Sequence, residues 1–183
     1  MDFQNRLPVA LVNPGISLFR TLKYWAILAA GPAVYGCSLG VAAPQEGLPV
    51  IDACFVSEAG SVPVQLEVAS TAEQRRKGLM GRTSLAPDAG MLFEYREPRD
   101  AGHGFWMYNT LIPLDIAYLN RDGVIGSIRQ MVPCVSASGS RCPSYPAGVP
   151  FIKAVEMNAG FFRKHQLRQG DRLNLRTENC PAR

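Results

Sequence analysis

Two acidic residues, Asp115 and Glu156, have large aliphatic residues on both sides in the sequence. Two carboxyl groups can act as general acid and general base when their environments move their pKa values apart. Together with Arg76, which could bind an anionic group, they are the candidates for catalysis, in a small hydrolase acting on cell-envelope material. A structural arginine–carboxylate pair that only stabilises the fold is the favoured alternative. The distance between the two carboxyl groups decides between the catalytic and the structural interpretation, and the sequence does not give this distance.

A second set of residues is typical of a ligand site. Phe105, Trp106 and Tyr108 could wall a small pocket, with Asn109 supplying a paired donor and acceptor. Such a pocket would bind a small polar or envelope-derived ligand, such as a peptide or a sugar. The candidate binding residues are Arg76, Arg82, Trp106, Asn109 and Asp115.

The usual hydrolase motifs are missing from the sequence. It contains neither GxSxG nor HExxH, and its two histidines, His103 and His165, have no plausible nucleophile beside them. Our first hypothesis is therefore a binding or accessory domain without catalysis, and the carboxylate enzyme is the alternative.

Soft sulfur ligands suggest a copper-binding periplasmic protein as a second alternative. The residues concerned are His103 and five methionines, namely Met80, Met91, Met107, Met131 and Met157. Methionines in apolar runs more often fill gaps in a core. We therefore expect no metal and no cofactor.

The five cysteines form an odd set, so one should differ from the rest. Cys134 and Cys142 bracket a Ser/Gly-rich loop, which predicts a disulfide in an oxidising compartment. Cys54 and Cys180 could join the two ends of the domain by a second one. Cys37 remains, and it follows a small residue, as a lipidated cysteine does in a bacterial lipobox.

The first 49 residues resemble an export leader and a tether. Residues 1–23 carry three basic residues against one acid, and residues 24–43 have no charge. Cleavage before Cys37 would give a lipoprotein with leader 1–36, tether 37–49 and globular domain 50–183. Cleavage after Ala43 would give a soluble secreted protein, and an uncleaved 24–43 segment would be a membrane anchor. All three predict an exported, bacterial-envelope protein, and the lipoprotein is favoured.

Short apolar runs with β-branched residues, separated by turns, predict an α+β fold of about eight strands and two short helices. Ser70 with Glu73 indicates a helix start, and Asp122-Gly123 indicates a hairpin. Because most connections are tight turns, we expect a mainly antiparallel, compact, barrel-like single domain. The predicted strands are 50–56, 62–68, 91–95, 104–108, 114–119, 124–132, 151–157 and 172–176, the predicted helices run from about 71 to 78 or 81 and from 158 to 165, and 133–150 is predicted as a loop.

The bulk composition fits this interpretation. Apolar residues make up 47% and charged residues 19%, which indicates a globular chain. The net charge of +4 is spread along the chain without a basic block, so nucleic acid is not an expected partner. We expect a monomer that meets the membrane only through its lipid or its leader.

Several ordered blocks resemble the domain-of-unknown-function 192 family. They are residues 76–82 (RKGLMGR), 90–93 (GMLF), 105–116 (FWMYNTLIPLDI), 155–160 (VEMNAG) and 170–171 (GD). The resemblance spans about residues 66–175, and Tyr108 stands where the family pattern usually has lysine. It implies a mostly β single domain that is often exported, and it implies no agreed activity, cofactor or catalytic residue.

Overall fold

The computed structural model describes residues 42–175, 178 and 180. Seven strands form one sheet in the order β6-β5-β8-β3-β2-β1-β9, and β4 and β7 form a separate two-stranded ribbon. The elements are β1 (Val50–Ser57), β2 (Gly60–Ala69), α1 (Ala72–Lys77), β3 (Ala89–Arg99), β4 (Gly104–Trp106), β5 (Leu114–Leu119), β6 (Ile125–Met131), β7 (Ser144–Pro146), β8 (Phe151–Asn158), α2 (Phe161–Lys164) and β9 (Arg172–Asn174). A short 3-10 turn occupies Gly139–Arg141.

The α+β, mainly strand fold with two short helices is confirmed, as a mixed sheet that is not closed into a barrel. Its edge strands, β6 and β9, approach each other through one isolated bridge between Val124 and Arg172. Strands β2 and β3 are parallel, and all other neighbouring strands of the sheet are antiparallel. The crossover through α1 makes this possible, because a parallel pair cannot be joined by a tight turn.

Helix α1 begins one residue later than Ser70 and Glu73 indicated. Thr71 is the N-cap, and its side chain accepts from the backbone N–H of Gln74, whose own side chain accepts from the backbone N–H of Thr71. This reciprocal capping box satisfies two of the free N–H groups of the first turn. Gly78, with φ of 49°, ends the helix.

The sheet carries two apolar clusters, one on each face. The first core cluster includes Phe55, Leu66, Leu92, Val155 and the α2 residues Phe161 and Phe162. The second core cluster includes Met91, Phe93, Ile116, Tyr118 and the residues Phe105 and Met107 from the β4 region. Strand β5 is buried along its whole length, since both faces are covered and β6 and β8 flank it.

Two local predictions were wrong. The predicted loop 133–150 contains β7, which pairs with β4. Asn158 does not cap α2; its side-chain amide donates to the backbone carbonyls of Leu85 and Ala86, and Gly160 is the N-cap. Within the predicted tether, Gln45 is 9% exposed and donates its side-chain amide to the carbonyl of Gly78 at 2.8 Å, so this part of the segment packs against the domain.

Both disulfides are present. Cys134 and Cys142 are bonded, with their Cα atoms 5.8 Å apart, and Cys54 in β1 is bonded to Cys180 near the C-terminus, with a Cα distance of 6.0 Å. Cys37 lies outside the described residues. No helix within the described part of the chain is both long enough and apolar enough to cross a membrane.

Candidate functional site

Glu156 is a buried acid in the centre of the sheet. Its cross-strand partners are Met91 in β3 and Ile116 in β5, both members of the second core cluster. Directly paired residues present their side chains on the same face, so the Glu156 carboxyl enters that cluster. The residue is 4% exposed, and burial raises the pKa of its carboxyl to about 8. At neutral pH this carboxyl is therefore mainly protonated and uncharged.

Asp115 faces the other way. Its partner in β8 is Met157, which belongs to the first core cluster. Asp115 Oδ2 accepts a hydrogen bond from the backbone N–H of Gly160 at 2.9 Å, and the carboxyl accepts another from the backbone N–H of Phe162. Burial raises the pKa of this carboxyl, and the two backbone hydrogen bonds and the nearby Arg163 oppose the shift in part. Asp115 thus caps the start of α2.

The three candidate catalytic residues do not come together. Asp115 and Glu156 are on adjacent strands but on opposite faces of the sheet, and one carboxyl is bonded to backbone amides. Arg76 lies exposed on α1. General acid–base catalysis needs both groups within reach of one substrate atom, and this arrangement separates them.

Arg82 forms an arginine–carboxylate pair, but with an acid that the sequence analysis did not select. Its Nη2 atom is 2.6 Å from Oε2 of Glu67 and donates at 3.2 Å to the backbone carbonyl of Gln45. Both side chains of the pair are about one fifth exposed. Arg82 thus ties the segment before β1 to β2, which is a structural role.

Trp106 lies at the surface and not in the core. Along β4 the side chains alternate, so Phe105 and Met107 are buried in the second core cluster while Trp106 is 41% exposed. The Trp106 ring lies 5.5 Å from the ring of Tyr108, at an interplanar angle of 41°. A Cβ at Gly139 would lie 2.5 Å from the indole, so the disulfide-closed loop packs directly on the Trp106 ring. The predicted pocket is therefore an open surface, and Phe105 is not one of its walls.

Two exposed valines lie within two residues of Cys134 in the sequence. Val132 and Val135 are 58% and 64% exposed, and they flank Cys134, which forms an isolated bridge with Tyr108. We call the surface formed by Trp106 and Tyr108 the aromatic face. Asn109 adjoins it in the chain with φ of 54°, and its backbone bonds to Cys134 and Gly81 hold the turn in place.

Four of the five methionines named for the copper alternative lie in the two core clusters. Met91, Met107 and Met131 lie in the second core cluster and Met157 in the first, and all four are fully buried. His103 packs against the rings of Tyr95 and Phe151 instead. Within the described residues, no group of three or more His, Cys, Asp or Glu side chains could hold a metal ion.

Sequence reasoning missed a basic groove at one end of the sheet. We define the basic groove by Tyr95 and the cationic side chains around it, which are Arg75, Arg96, Arg99, Arg121 and Lys153. Its volume is about 800 Å³. The cations come from α1, β3, the β5–β6 turn and β8, so no local run of basic residues signals the groove. Only the pairing of the strands brings them together.

Comparisons with known proteins place the chain in a family. The sequence model of the domain-of-unknown-function 192 family, described as "Uncharacterized ACR", matches residues 54–175. A crystal structure of a candidate transcription regulator from Sinorhizobium meliloti is 31% identical, with a TM-score of 0.62, over 71% of this chain and 96% of that one. A crystal structure of a protein of unknown function from Novosphingobium aromaticivorans is 30% identical, with a TM-score of 0.63, over 73% of this chain and 93% of that one. No curated protein matches. The chain therefore belongs to the domain-of-unknown-function 192 family.

Proposed function

We propose that the protein is a non-catalytic binding or accessory domain of the bacterial cell envelope, exported and tethered to the membrane by a lipid on Cys37. The proposal that the domain is not catalytic is supported by the placement of Asp115 and Glu156 on opposite faces of the sheet. The Asp115 carboxyl caps α2, and the Glu156 carboxyl lies among apolar side chains. The enzyme alternative requires both carboxyl groups to contact the same substrate, and this placement does not allow it.

The two disulfides support export. Disulfides persist in the periplasm and outside the cell, whereas the cytosol keeps thiols reduced. The basic flank and uncharged segment of residues 1–43 fit a leader for that route. A transcription regulator would act on DNA in the cytosol, where thiols are kept reduced. The two disulfides therefore argue against such a role for this chain.

We propose that the aromatic face binds an envelope glycan. A sugar ring presents apolar C–H groups that stack on an aromatic face, and its hydroxyl groups need polar partners beside the ring. Trp106 and Tyr108 offer such rings. Ser138 and Ser140, whose hydroxyl oxygens are 2.8 Å apart, flank the glycine that packs on the indole.

The test is thermal unfolding of the full chain with an N-acetylglucosamine oligosaccharide. A ligand that binds only the folded state raises the midpoint. We expect the wild type and Val50→Ala to shift equally, since Val50 is an exposed apolar residue outside the aromatic face. Trp106→Ala should show no shift. An equal shift in Trp106→Ala, or no shift in the wild type, would exclude this face as a glycan site.

A further inference from the structure

We propose that the basic groove is a binding site for a phosphate-bearing anion. Neither the rings of the aromatic face nor the two buried acids line the groove, so the inference does not rest on the function proposed above. The ligand class follows from charge, from side chains held in position, and from size.

The charge of the groove is not neutralised locally. Five cationic side chains line it against two carboxylates, Glu94 and Glu97, which leaves an excess of three positive charges. In the described part of the chain, the ion pairs within 4.0 Å are Arg82–Glu67 and Arg168–Glu58, and neither involves a groove residue. A concave surface lined by one sign of charge focuses the field and attracts counter-ions. The expected occupant is therefore an anion with more than one charge.

Two of the arginines are held in place by uncharged partners. Arg75 donates through Nη1 to the backbone carbonyls of Ser70 and Glu94, and its guanidinium lies 4.6 Å from the centre of the Tyr95 ring. Arg99 lies 5.5 Å from the same ring centre and is bonded through Nη2 to His103 at 3.1 Å. The Tyr95 ring therefore orders two guanidinium groups without neutralising either. Each retains N–H donors for a ligand, because an arginine has five.

An irregularity in the sheet creates the space. Glu94 pairs with Lys153, but the next pair is Arg99 with Phe151. Four residues of β3 therefore lie opposite one residue of β8, Ile152. Such bulges redirect side chains and interrupt pairing, and they are frequent beside functional sites. Here the bulge carries Tyr95 and Arg96 to the rim of the groove.

The chemistry favours phosphate. Guanidinium groups bind phosphate oxygens through two parallel hydrogen bonds, whereas an ammonium group such as that of Lys153 acts as a point charge. The Lys153 Nζ donates to the backbone carbonyl of Arg121 at 3.1 Å, which brings these two segments together at the groove. A volume of about 800 Å³ suits a small ligand or a lipid headgroup rather than a duplex.

The experiment uses the full chain and two matched double variants. Arg96→Gln with Arg121→Gln removes two exposed groove cations, and Lys77→Gln with Lys164→Gln removes two positive charges outside the groove. Calorimetric titration with pyrophosphate at low salt tests a free phosphate. Flotation with phosphatidylcholine vesicles, with and without phosphatidylglycerol, tests a lipid headgroup. Far-ultraviolet circular dichroism confirms that each variant is folded.

Loss of binding confined to the groove variant supports the site. With two charge-assisted contacts removed, we expect pyrophosphate affinity to fall by at least about tenfold in the groove variant and to stay within about twofold of wild type in the control. A loss of only the phosphatidylglycerol-dependent part of vesicle binding would instead identify the lipid headgroup as the source. Equal behaviour of the two variants with both probes overturns the proposal, as does tighter binding of duplex DNA than of either probe.

A second measurement does not depend on any variant. Amide resonances of the ¹⁵N-labelled wild type, titrated with pyrophosphate, should shift most for residues of the basic groove. Shifts centred elsewhere, or none at millimolar pyrophosphate, would also overturn the proposal.

Discussion

The buried carboxyl of Glu156 should make the stability of the fold depend on pH. Burial raises its pKa to about 8 from an ordinary value of 4.5. Between these two values the unfolded chain is ionised at this position while the folded chain retains its proton. The contribution of Glu156 to stability is therefore fully present below about pH 4.5 and is lost as the pH rises towards 8.

The magnitude follows from the pKa shift. Each pH unit in this window changes the free energy of unfolding by about 1.4 kcal/mol. From about pH 5.5 to about pH 7.5 the wild type should lose about 2 to 3 kcal/mol through this group. Glu156→Gln has a similar shape and does not titrate, so it should lack this loss. Asp115 and His103 titrate in both proteins, and their effects cancel in the difference.

The assay is urea unfolding at several pH values with the disulfides intact, followed by circular dichroism and extrapolated linearly to water. The difference in unfolding free energy between Glu156→Gln and wild type should grow in favour of the variant as the pH rises. Glu73→Gln controls for the loss of one exposed carboxyl. Parallel stability curves for wild type and Glu156→Gln would refute the placement of this carboxyl in the second core cluster.

Three further predictions concern the cap, the loop disulfide and the leader. Asp115→Ala leaves the amide of Gly160 without its acceptor and should lower the unfolding free energy by about 1–3 kcal/mol, while Asp115→Asn, which keeps an acceptor oxygen, should cost less. Replacing Cys134 and Cys142 by alanine should cost about 2.5 kcal/mol by the chain-entropy relation for so short a loop, and an unchanged urea midpoint would contradict it. Mass spectrometry of the protein recovered from a bacterial membrane fraction should find a lipidated chain beginning at Cys37. In the Cys37→Ser variant, lipoprotein processing should leave the leader uncut. A soluble chain beginning at Pro44 would favour simple secretion.

Much of the fold was predictable because short patterns of residue types in the sequence mark most of its strands and turns. The strand 114–119 was found with its observed bounds, since Pro113 precedes the mostly apolar run and the Asp-Gly turn follows it. The α1 start was misplaced by one residue, because Ser70 and Thr71 are both good caps and only the structure shows which one bonds. Strand β7 was missed, since its flanking prolines and serines are typical of loops.

The candidate site was less predictable because it depends on strand register. Whether Asp115 and Glu156 meet depends on which residues pair across β5 and β8, and a shift by one residue would move a side chain to the other face. The basic groove depends on a bulge and on four separate segments, which no local pattern reveals. Phe105 and Trp106 were expected to wall one pocket, but the alternation along β4 buries Phe105 and turns Trp106 outward.

The central claim, binding without catalysis, is tested most directly by recovering the ligand after binding. The full chain is incubated with the N-acetylglucosamine oligosaccharide, bound and free ligand are separated, and both are analysed by mass spectrometry. We predict that the wild type retains the oligosaccharide unchanged and that Trp106→Ala does not retain it. Cleaved oligosaccharide that disappears with Glu156→Gln or Asp115→Asn would contradict the account.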